Sequence, residues 1–393
     1  MKNQIMLSFF AICGLTSCSN NSENDYDSIT TYPFVEAEFG SSVDLNNLAN
    51  YANQEVPSYI LKDNSQGNSI TDKGATLGRV LFYDTNLSSN NTVSCASCHK
   101  QELAFSDTNV ASIGVNGTTG RHSMRLINTR FASETKFFWD ERAINLETQT
   151  TMPIKDHGEM GFSGENGDLS IDDLIVRLSN IGYYKELFKF VYGSEEVSEV
   201  KIQNALAQFI RSIQSFDSKY DIGRALAAND GQAFSNFTVQ ENQGKNLFLT
   251  APIFNSSGVR TSGGLGCGGC HRAPEFDIDP NSLSNGFGGS IAGTPDFTNT
   301  RAPSLRNIVN IDGNPNGPMM HTGIITTLQA AIGHYGDMTN NLNNTNLDPR
   351  LKPNGLGQQL NLNATEINAV IAFLKTLSGT DVYTNAKWSN PFN

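Results

Sequence analysis

The chain of 393 residues is long enough to form two globular domains, and its formal net charge is −12. This acidity argues against binding to nucleic acid, which requires clustered Lys and Arg residues. Hydrophobic residues make up only 38% of the chain, which is low for a protein of this length.

The N-terminus predicts export. Lys2 precedes an apolar run that is too short to span a bilayer, so residues 1–17 are interpreted as a signal peptide. The ending LTSC resembles the lipobox of bacterial lipoproteins, in which Cys18 becomes the lipidated first residue of the mature chain. We therefore expect a periplasmic or cell-envelope lipoprotein that acyl chains hold on a membrane. The alternative is an ordinary cleaved signal that leaves Cys18 as a free thiol.

The next segment, residues 18–55, is rich in Asn, Ser, Asp and Glu and is predicted to be a flexible tether. Beyond it, two stretches share the pattern G-x-x-L-F, a loop and a cysteine motif. They are GRVLFYDTNLSSNNTVSCASCH and GKNLFLTAPIFNSSGVRTSGGLGCGGCH. This repeat predicts two related domains, at 56–235 and 236–393.

Each repeat ends in C-x-x-C-H, which is the attachment signature of c-type haem. In such motifs the thiols add to the vinyl groups and the histidine binds the iron as an axial ligand. With six histidines in the chain, chance would rarely place one behind both cysteine pairs. A four-thiolate zinc site needs no histidine, and thioredoxin-like motifs lie in βαβ contexts that neither pair shows. The sequence predicts two covalent haems, at Cys95, Cys98 and His99 and at Cys267, Cys270 and His271.

Helical periodicity dominates the rest of the chain. Apolar residues between 197 and 213 follow i, i+3, i+4 spacing, and NATEINAVIAFLKTLSG begins with a capping pair, Asn363 and Glu366. No alternating run is long enough to make a sheet the main scaffold, and residues 281–300 are predicted to form a surface loop. The fold class is therefore mainly α, with two cytochrome c-like helical domains, each around one haem, and long loops.

The segment between the motifs offers groups for peroxide chemistry. Trp139 ends an aromatic cluster, and Gln149 and Glu159 follow it. To cleave an O–O bond at iron, a base must take the proton from one oxygen and return it to the departing one, and a carboxylate can do both. Spacing alone leaves ordinary roles open, with Glu159 a solvated carboxylate, Gln149 a surface amide and Trp139 part of the core.

From about residue 70 to 378, the chain resembles the bacterial dihaem cytochrome c peroxidases and the related MauG-type dihaem enzymes. The shared motifs, in the family's order, are CASCH, AFSD, FFWDERAINLETQ, PIKDHGEMG, CGGCH, APSLRNI, MMHTG and IAFLKTL. The resemblance implies that His99 is the proximal ligand of a peroxide-reactive haem and His271 that of a second, electron-accepting haem. It also implies that Glu159 is the distal acid–base residue, Gln149 the distal glutamine and Trp139 the tryptophan between the haems.

Two departures from the family concern the first haem and a calcium ion. Val115 stands where peroxidases that need reductive activation have a histidine that blocks the iron, so we expect an open ferric site. His122 replaces an asparagine that helps to bind calcium between the domains, and imidazole is a poor ligand for this ion. Carbonyls near Asn316 and Pro318 match the rest of that calcium site. An alternative role for His122 is that of a relocated iron ligand.

The third departure concerns the sixth ligand of the second haem. Peroxidases with a high-potential haem have a methionine fourteen residues after the histidine that matches His321, and here that residue is Tyr335. The MauG-type enzymes similarly have tyrosine, and a phenolate would lower the haem's reduction potential relative to a thioether. His334 and Met338 are nearby alternatives, and packing at a helix end is another role for Tyr335.

These observations favour a peroxidase that reduces hydrogen peroxide with electrons from a small cytochrome or copper protein, passed through the second haem. One alternative is a MauG-type enzyme that oxidises a protein side chain through a high-valent iron state. A second is a pure electron-transfer cytochrome, which would leave Gln149 and Glu159 without a role. A homodimer is left open by the sequence.

Overall fold

Helices are the main regular elements of the structure, a computed structural model that describes residues 30–339 and 344–392. The predicted signal peptide and Cys18 therefore lie outside the described residues. None of the helices in these ranges combines the length and the hydropathy that a bilayer crossing requires. In chain order the α-helices are α1 (Pro33–Phe39), α2 (Asp72–Tyr83), α3 (Cys95–Cys98), α4 (Leu146–Thr151), α5 (Ile171–Ser179), α6 (Gly182–Tyr192), α7 (Glu199–Ser212), α8 (Lys219–Leu226), α9 (Val239–Leu249), α10 (Leu328–His334) and α11 (Ala364–Lys375).

The strands are short and form three separate two-stranded antiparallel ladders. No described strand is longer than four residues, and residues 281–300 form a loop, as the sequence predicts. The mainly helical class is thus confirmed. The paired strands are β1 (Ile113–Gly114) with β2 (Gly117–Thr118), β3 (Pro252–Phe254) with β4 (Arg260–Gly263), and β5 (His271–Arg272) with β6 (Asp277–Ile278).

Both helices that the periodicity predicted are present, as α7 and α11. The side chain of Ser198 caps α7 by accepting a hydrogen bond from the backbone N–H of Lys201. Asn363 and Glu366 form the predicted reciprocal capping box at the start of α11. Most of the predicted apolar residues are buried, but Val200 in the first turn of α7 is exposed.

The G-x-x-L-F repeat builds the same helix crossing twice. A Cβ atom at Gly78 of α2 would lie 2.0 Å from the carbonyl oxygen of Ala205 in α7. A Cβ atom at Gly244 of α9 would lie 1.8 Å from the carbonyl oxygen of Ala369 in α11. Only glycine permits such a close approach of two helix backbones. The two stretches that match in sequence therefore each pack a helix against a later helix through one glycine.

Two apolar clusters surround these crossings. The first cluster contains residues from Val35 to Ile213, together with Val382 and Trp388. The second contains residues from Tyr220 to Leu377. The chain from Tyr32 onward nevertheless forms one compact unit. The domain boundary at 235/236 stays a prediction.

The prediction that residues 18–55 form a flexible tether is wrong for part of this segment. Pro33–Phe39 form α1, and Glu186 of α6 accepts hydrogen bonds from the backbone N–H groups of Phe34 and Val35. Phe39 and Tyr51 are fully buried in the first cluster. The segment is polar in its overall composition, but it contains a few well-spaced apolar side chains. Their burial is enough to hold the segment against the protein.

Candidate active site

The first cysteine motif forms one wall of a cavity of about 600 Å³, called here the first cavity. Its cysteines lie at the two ends of the single helical turn α3, which Ser94 and Ser97 cap reciprocally. His99 follows the turn, and its Nδ1 lies 3.3 Å from the carbonyl oxygen of Phe105. Burial lowers the pKa of His99, so that the ring is held neutral, as a metal ligand must be.

The second motif lines a separate cavity of about 550 Å³, called here the second cavity. Cys267 begins a 3₁₀ turn, and Cys270 and His271 follow it. The Nδ1 atom of His271 is buried, and the backbone of Phe276 interacts with the ring. Burial lowers the pKa of His271 to about 4. Because the cysteine pairs lie in different cavities, they do not form one four-thiolate site.

Both cavities have the properties of cofactor sites. Each lies in the range of roughly 300 to 1,000 Å³ that is typical of such sites, and each has two free thiols beside a neutral, buried imidazole. The residues present therefore fit two covalently attached haems.

Glu159 lies in the first cavity with Cys95, Cys98 and His99. Its carboxylate makes no hydrogen bond or ion pair with another residue that the structure describes. Burial raises its pKa to about 7, the negative charge of Asp156 adds to this effect, and Arg142 opposes it. At neutral pH this carboxyl group can therefore both accept and release a proton.

The backbone around Glu159 is held in place by the short β1–β2 hairpin. The N–H of Val115 donates to the carbonyl oxygen of Glu159 over 3.0 Å, and the N–H of Asn116 donates to that of Gly158 over 3.1 Å. A Cβ atom at Gly114 would lie 2.1 Å from the Gly158 oxygen. Val115, at the position of the family's blocking histidine, is thus part of the support of Glu159.

Gln149 also lines the first cavity, from the helix α4. Asn145 caps this helix by accepting a hydrogen bond from the backbone N–H of Thr148. Within the described ranges the side-chain amide of Gln149 forms no hydrogen bond. The structure thus brings Gln149 and Glu159, which are ten residues apart in the sequence, to one cavity with their polar groups unpaired.

Trp139 lines both cavities. Its indole N–H donates to the carbonyl oxygen of His122 over 2.7 Å, and its ring centre lies 6.2 Å from that of His321. Its own carbonyl oxygen accepts hydrogen bonds from the backbone N–H groups of Thr300 and Arg301. The indole is therefore fixed from several sides, in the wall that the two cavities share.

Hydrogen bonds hold His122 in place, which argues against the alternative that it is a relocated iron ligand. The ring is buried, and its Nδ1 lies 2.9 Å from the carbonyl oxygen of Asn109. Its backbone N–H donates to the carbonyl oxygen of His321 over 2.8 Å. His122 lines both cavities, so its position leaves the open-site prediction in place but does not test it.

Tyr335 lines the second cavity, directly after α10. Its hydroxyl oxygen accepts a hydrogen bond of 3.2 Å from the side chain of Asn285, and burial raises its pKa. The two alternatives lie outside the lining. His334 points its Nε2 to within 3.0 Å of the Asn285 carbonyl oxygen, and Met338 is buried in a small separate cluster.

Met320 is a potential iron ligand that the sequence analysis missed. It lines the second cavity, and its sulfur accepts a hydrogen bond of 3.3 Å from the same Asn285 amide that binds Tyr335. Its backbone has a φ of +66°, which no local sequence feature reveals. The motif MMHTG was the only available signal, and it carries no information about which methionine faces a cavity.

The predicted calcium ligands lie near the second cavity. Pro318 lines that cavity, and Asn316 is buried. The Asn316 amide nitrogen donates to Tyr383 and to the carbonyl oxygen of Asn307, while its Oδ1 has no partner among the residues described. No group of three or more His, Cys, Asp or Glu residues suited to a metal occurs in the described ranges. Calcium binding stays a prediction.

Comparisons with known proteins agree with this geometry. The family described as di-haem cytochrome c peroxidase matches residues 72–228. Methylamine utilization protein MauG of Methylophilus methylotrophus is 29% identical over 321 residues, which cover 79% of this chain and 84% of the relative. Cytochrome c551 peroxidase of Nitrosomonas europaea is 29% identical over 324 residues, which cover 78% and 80%.

A solved structure extends the similarity to the fold. The crystal structure of a MauG-like protein associated with microbial copper homeostasis superimposes with a TM-score of 0.65 at 27% sequence identity. The match covers 86% of this chain and 99% of that protein. The family match over residues 72–228 and the relatives named cytochrome c peroxidase and MauG support membership of the dihaem cytochrome c peroxidase and MauG family, an oxidoreductase class.

Proposed function

We propose that this protein is a dihaem c-type peroxidase that reduces hydrogen peroxide to water. The observation that carries the proposal is the unpaired carboxyl group of Glu159, which lies in the first cavity with His99 and has a pKa raised to about 7. Two electrons and two protons convert one molecule of peroxide into two of water. A group that exchanges protons near neutral pH is what this reaction needs beside the iron.

The cofactors would be two haems, covalently held through Cys95 and Cys98 and through Cys267 and Cys270. Haem iron, when bound at His99, supplies the redox centre at which the peroxide bond is reduced. Glu159 would take a proton from one oxygen of the peroxide and return it to the other oxygen, which leaves as water. The free amide of Gln149 orients the peroxide by hydrogen bonds.

Electrons would enter at the second cavity and cross the shared wall at Trp139. The fixed position of the indole, which lines both cavities, supports this path. The donor would be a small cytochrome or copper protein, and the net charge of −12 suits a basic one. Such a donor fits an exported protein, which Cys18 would anchor to a membrane.

A second candidate function is oxidation of a protein side chain, as the resemblance to MauG-type enzymes implies. Tyr335 favours it, because this residue lines the second cavity whereas Met338 lies outside that lining. A phenolate ligand would give the second haem a low potential and make it a poor acceptor from ordinary donors. Turnover with a reduced donor distinguishes the two candidates.

The test uses the purified holoprotein and its Glu159→Gln variant. We expect peroxide to react with the fully oxidised protein, and a reduced small basic cytochrome to sustain turnover. Glu159→Gln should lower kcat/KM for peroxide by roughly 10² to 10⁴, because an amide cannot accept the proton, while both haems stay attached. In the parent protein kcat/KM should fall as the pH drops through about 7, since Glu159 is then protonated.

Glu165→Gln is the matched control, because Glu165 is an exposed carboxylate six residues further along the chain. It should leave the rate and the pH profile unchanged. A loss of less than about tenfold in kcat/KM for Glu159→Gln would mean that another group is the base. Reaction with peroxide but no turnover with any donor would favour oxidation of a protein side chain, and no reaction with peroxide would favour an electron carrier.

A further inference from the structure

The wall shared by the two cavities contains two buried cations. Arg125 and Arg301 both line the first and the second cavity, and each side chain is more than nine-tenths buried. Burying a guanidinium group is costly unless carboxylates or several acceptor oxygens surround it. The two arginines differ in how far the protein meets that requirement.

Arg301 is satisfied by the protein. Its Nη1 donates to the carbonyl oxygens of Glu134 and Lys136, and its guanidinium carbon lies 4.5 Å from the centre of the Phe137 ring. Carboxylates of Glu134 and Asp277 also act on it electrostatically. This arginine therefore ties the wall together and needs no further partner.

Arg125 is not satisfied by the protein. Its hydrogen bond in the described ranges joins Nη2 to the carbonyl oxygen of Ser304, over 2.9 Å. Its Nε is buried without a partner, and no carboxylate among the residues described lies within ion-pair distance. Arg125 is thus a buried positive charge with N–H donors that have no partner among the residues described. It lines both candidate cofactor cavities.

We propose that Arg125 binds a propionate carboxylate of haem at the shared wall, and that its charge raises the reduction potential of that haem. The inference rests on the proposed function, because it needs haem in at least one cavity. Haem would bring carboxylates to a wall where no carboxylate among the residues described lies within ion-pair distance of Arg125. Arginine suits the contact, because its planar fork can hold both oxygens of a carboxylate.

The effect on the potential follows from charge. Ferric haem carries one more positive charge than ferrous haem, so a nearby cation favours the ferrous form and a nearby anion the ferric form. Arg125 neutralises the carboxylate, and removing it would leave the anion uncompensated in a low-dielectric wall. The haem would then become harder to reduce.

The test compares the holoprotein with Arg125→Met and Arg125→Lys. We expect Arg125→Met to make reduction of at least one haem about tenfold less favourable, which is about 59 mV for one electron. The resonance Raman band of the propionate bending mode of the same haem should also shift. Arg125→Lys keeps the charge but loses the fork, so it should retain most of the potential while still shifting the band.

Arg130→Met is the control for loss of one charge nearby in the sequence, because Arg130 pairs with Asp63 and lines neither cavity. It should change neither potential. Unchanged potentials and bands in Arg125→Met, with both haems attached, would overturn the inference alone. Should Arg125→Met not fold, an unchanged band in Arg125→Lys would overturn it equally. A parent protein without covalent haem would overturn the proposed function instead.

Discussion

The two cavities are built on the same frame but differ in the groups that face them. Each has a C-x-x-C-H motif beside a helix pair that crosses at a glycine, Gly78 in one case and Gly244 in the other. The first cavity adds Glu159 and Gln149, whose polar groups are unpaired. The second adds Tyr335, whose hydroxyl group is already hydrogen-bonded.

This difference separates what the repeat specifies from what the function needs. The repeated part supplies thiols, imidazole and close helix packing, which are the requirements for holding a haem. The groups that differ come from segments outside the repeat, which are α4 and the residues that follow it in one half and the residue directly after α10 in the other. Under the proposed function, the first cavity would carry out proton transfer and the second would give its haem a fixed environment.

The largest expected effect comes from removing one haem at a time. Replacing Cys95 and Cys98 by Ser should abolish covalent attachment in the first cavity and all peroxide reduction, because the iron beside Glu159 is lost. Replacing Cys267 and Cys270 by Ser should leave a peroxide-reactive haem that an external donor no longer re-reduces efficiently. Haem content by mass spectrometry and stopped-flow spectra measure the two outcomes. Equal reactivity of the two double variants with peroxide would contradict the assignment of the first cavity as the site of peroxide reduction.

An intermediate effect is expected at the two helix crossings, where the halves should behave alike. Gly78→Ala and Gly244→Ala each push a methyl group against a carbonyl oxygen, which should lower the free energy of unfolding by roughly 1–3 kcal/mol. Gly333→Ala in α10 is the control, because a Cβ atom there meets nothing within 4 Å. It should stabilise the protein by up to about 1 kcal/mol. Denaturant titration of the holoproteins measures all three, and unchanged stability of either crossing variant would refute the equivalence.

Much of this frame was predictable because it depends on local residue types. The haem motifs, the G-x-x-L-F repeat and the cap formed by Asn363 and Glu366 each occupy a few consecutive residues, whose geometry follows from the sequence. The α1 segment was missed because a polar composition says nothing about where Phe39 and Tyr51 pack.

The shared wall could not be predicted for a different reason. Arg125 contacts Ser304, which is 179 residues away, and the backbone N–H of His122 donates to the carbonyl oxygen of His321. Such contacts depend on how the two halves of the chain pack together, and a single sequence carries no signal for them. The site roles of Glu159, Gln149 and Trp139 came from the resemblance, and the structure adds their placement.

The smallest expected effect concerns the ligand of the second haem, and it would sharpen the difference between the cavities. Tyr335→Phe removes one hydroxyl group from a side chain that keeps its packing, so the protein should stay folded and only one haem spectrum should change. A phenolate ligand stabilises ferric iron, so its loss should also make that haem easier to reduce.

Met320→Leu and Met338→Leu complete this experiment. If Tyr335 is the ligand, neither methionine variant should alter the ferric spectrum, because Met338 lies outside the cavity and Met320 is held by Asn285. An unchanged spectrum in Tyr335→Phe together with a changed one in Met320→Leu would identify the Met320 thioether as the sixth ligand of the second haem. The second haem would then have a high potential, suited to accepting electrons from a donor protein, and the main support for oxidation of a protein side chain would be lost.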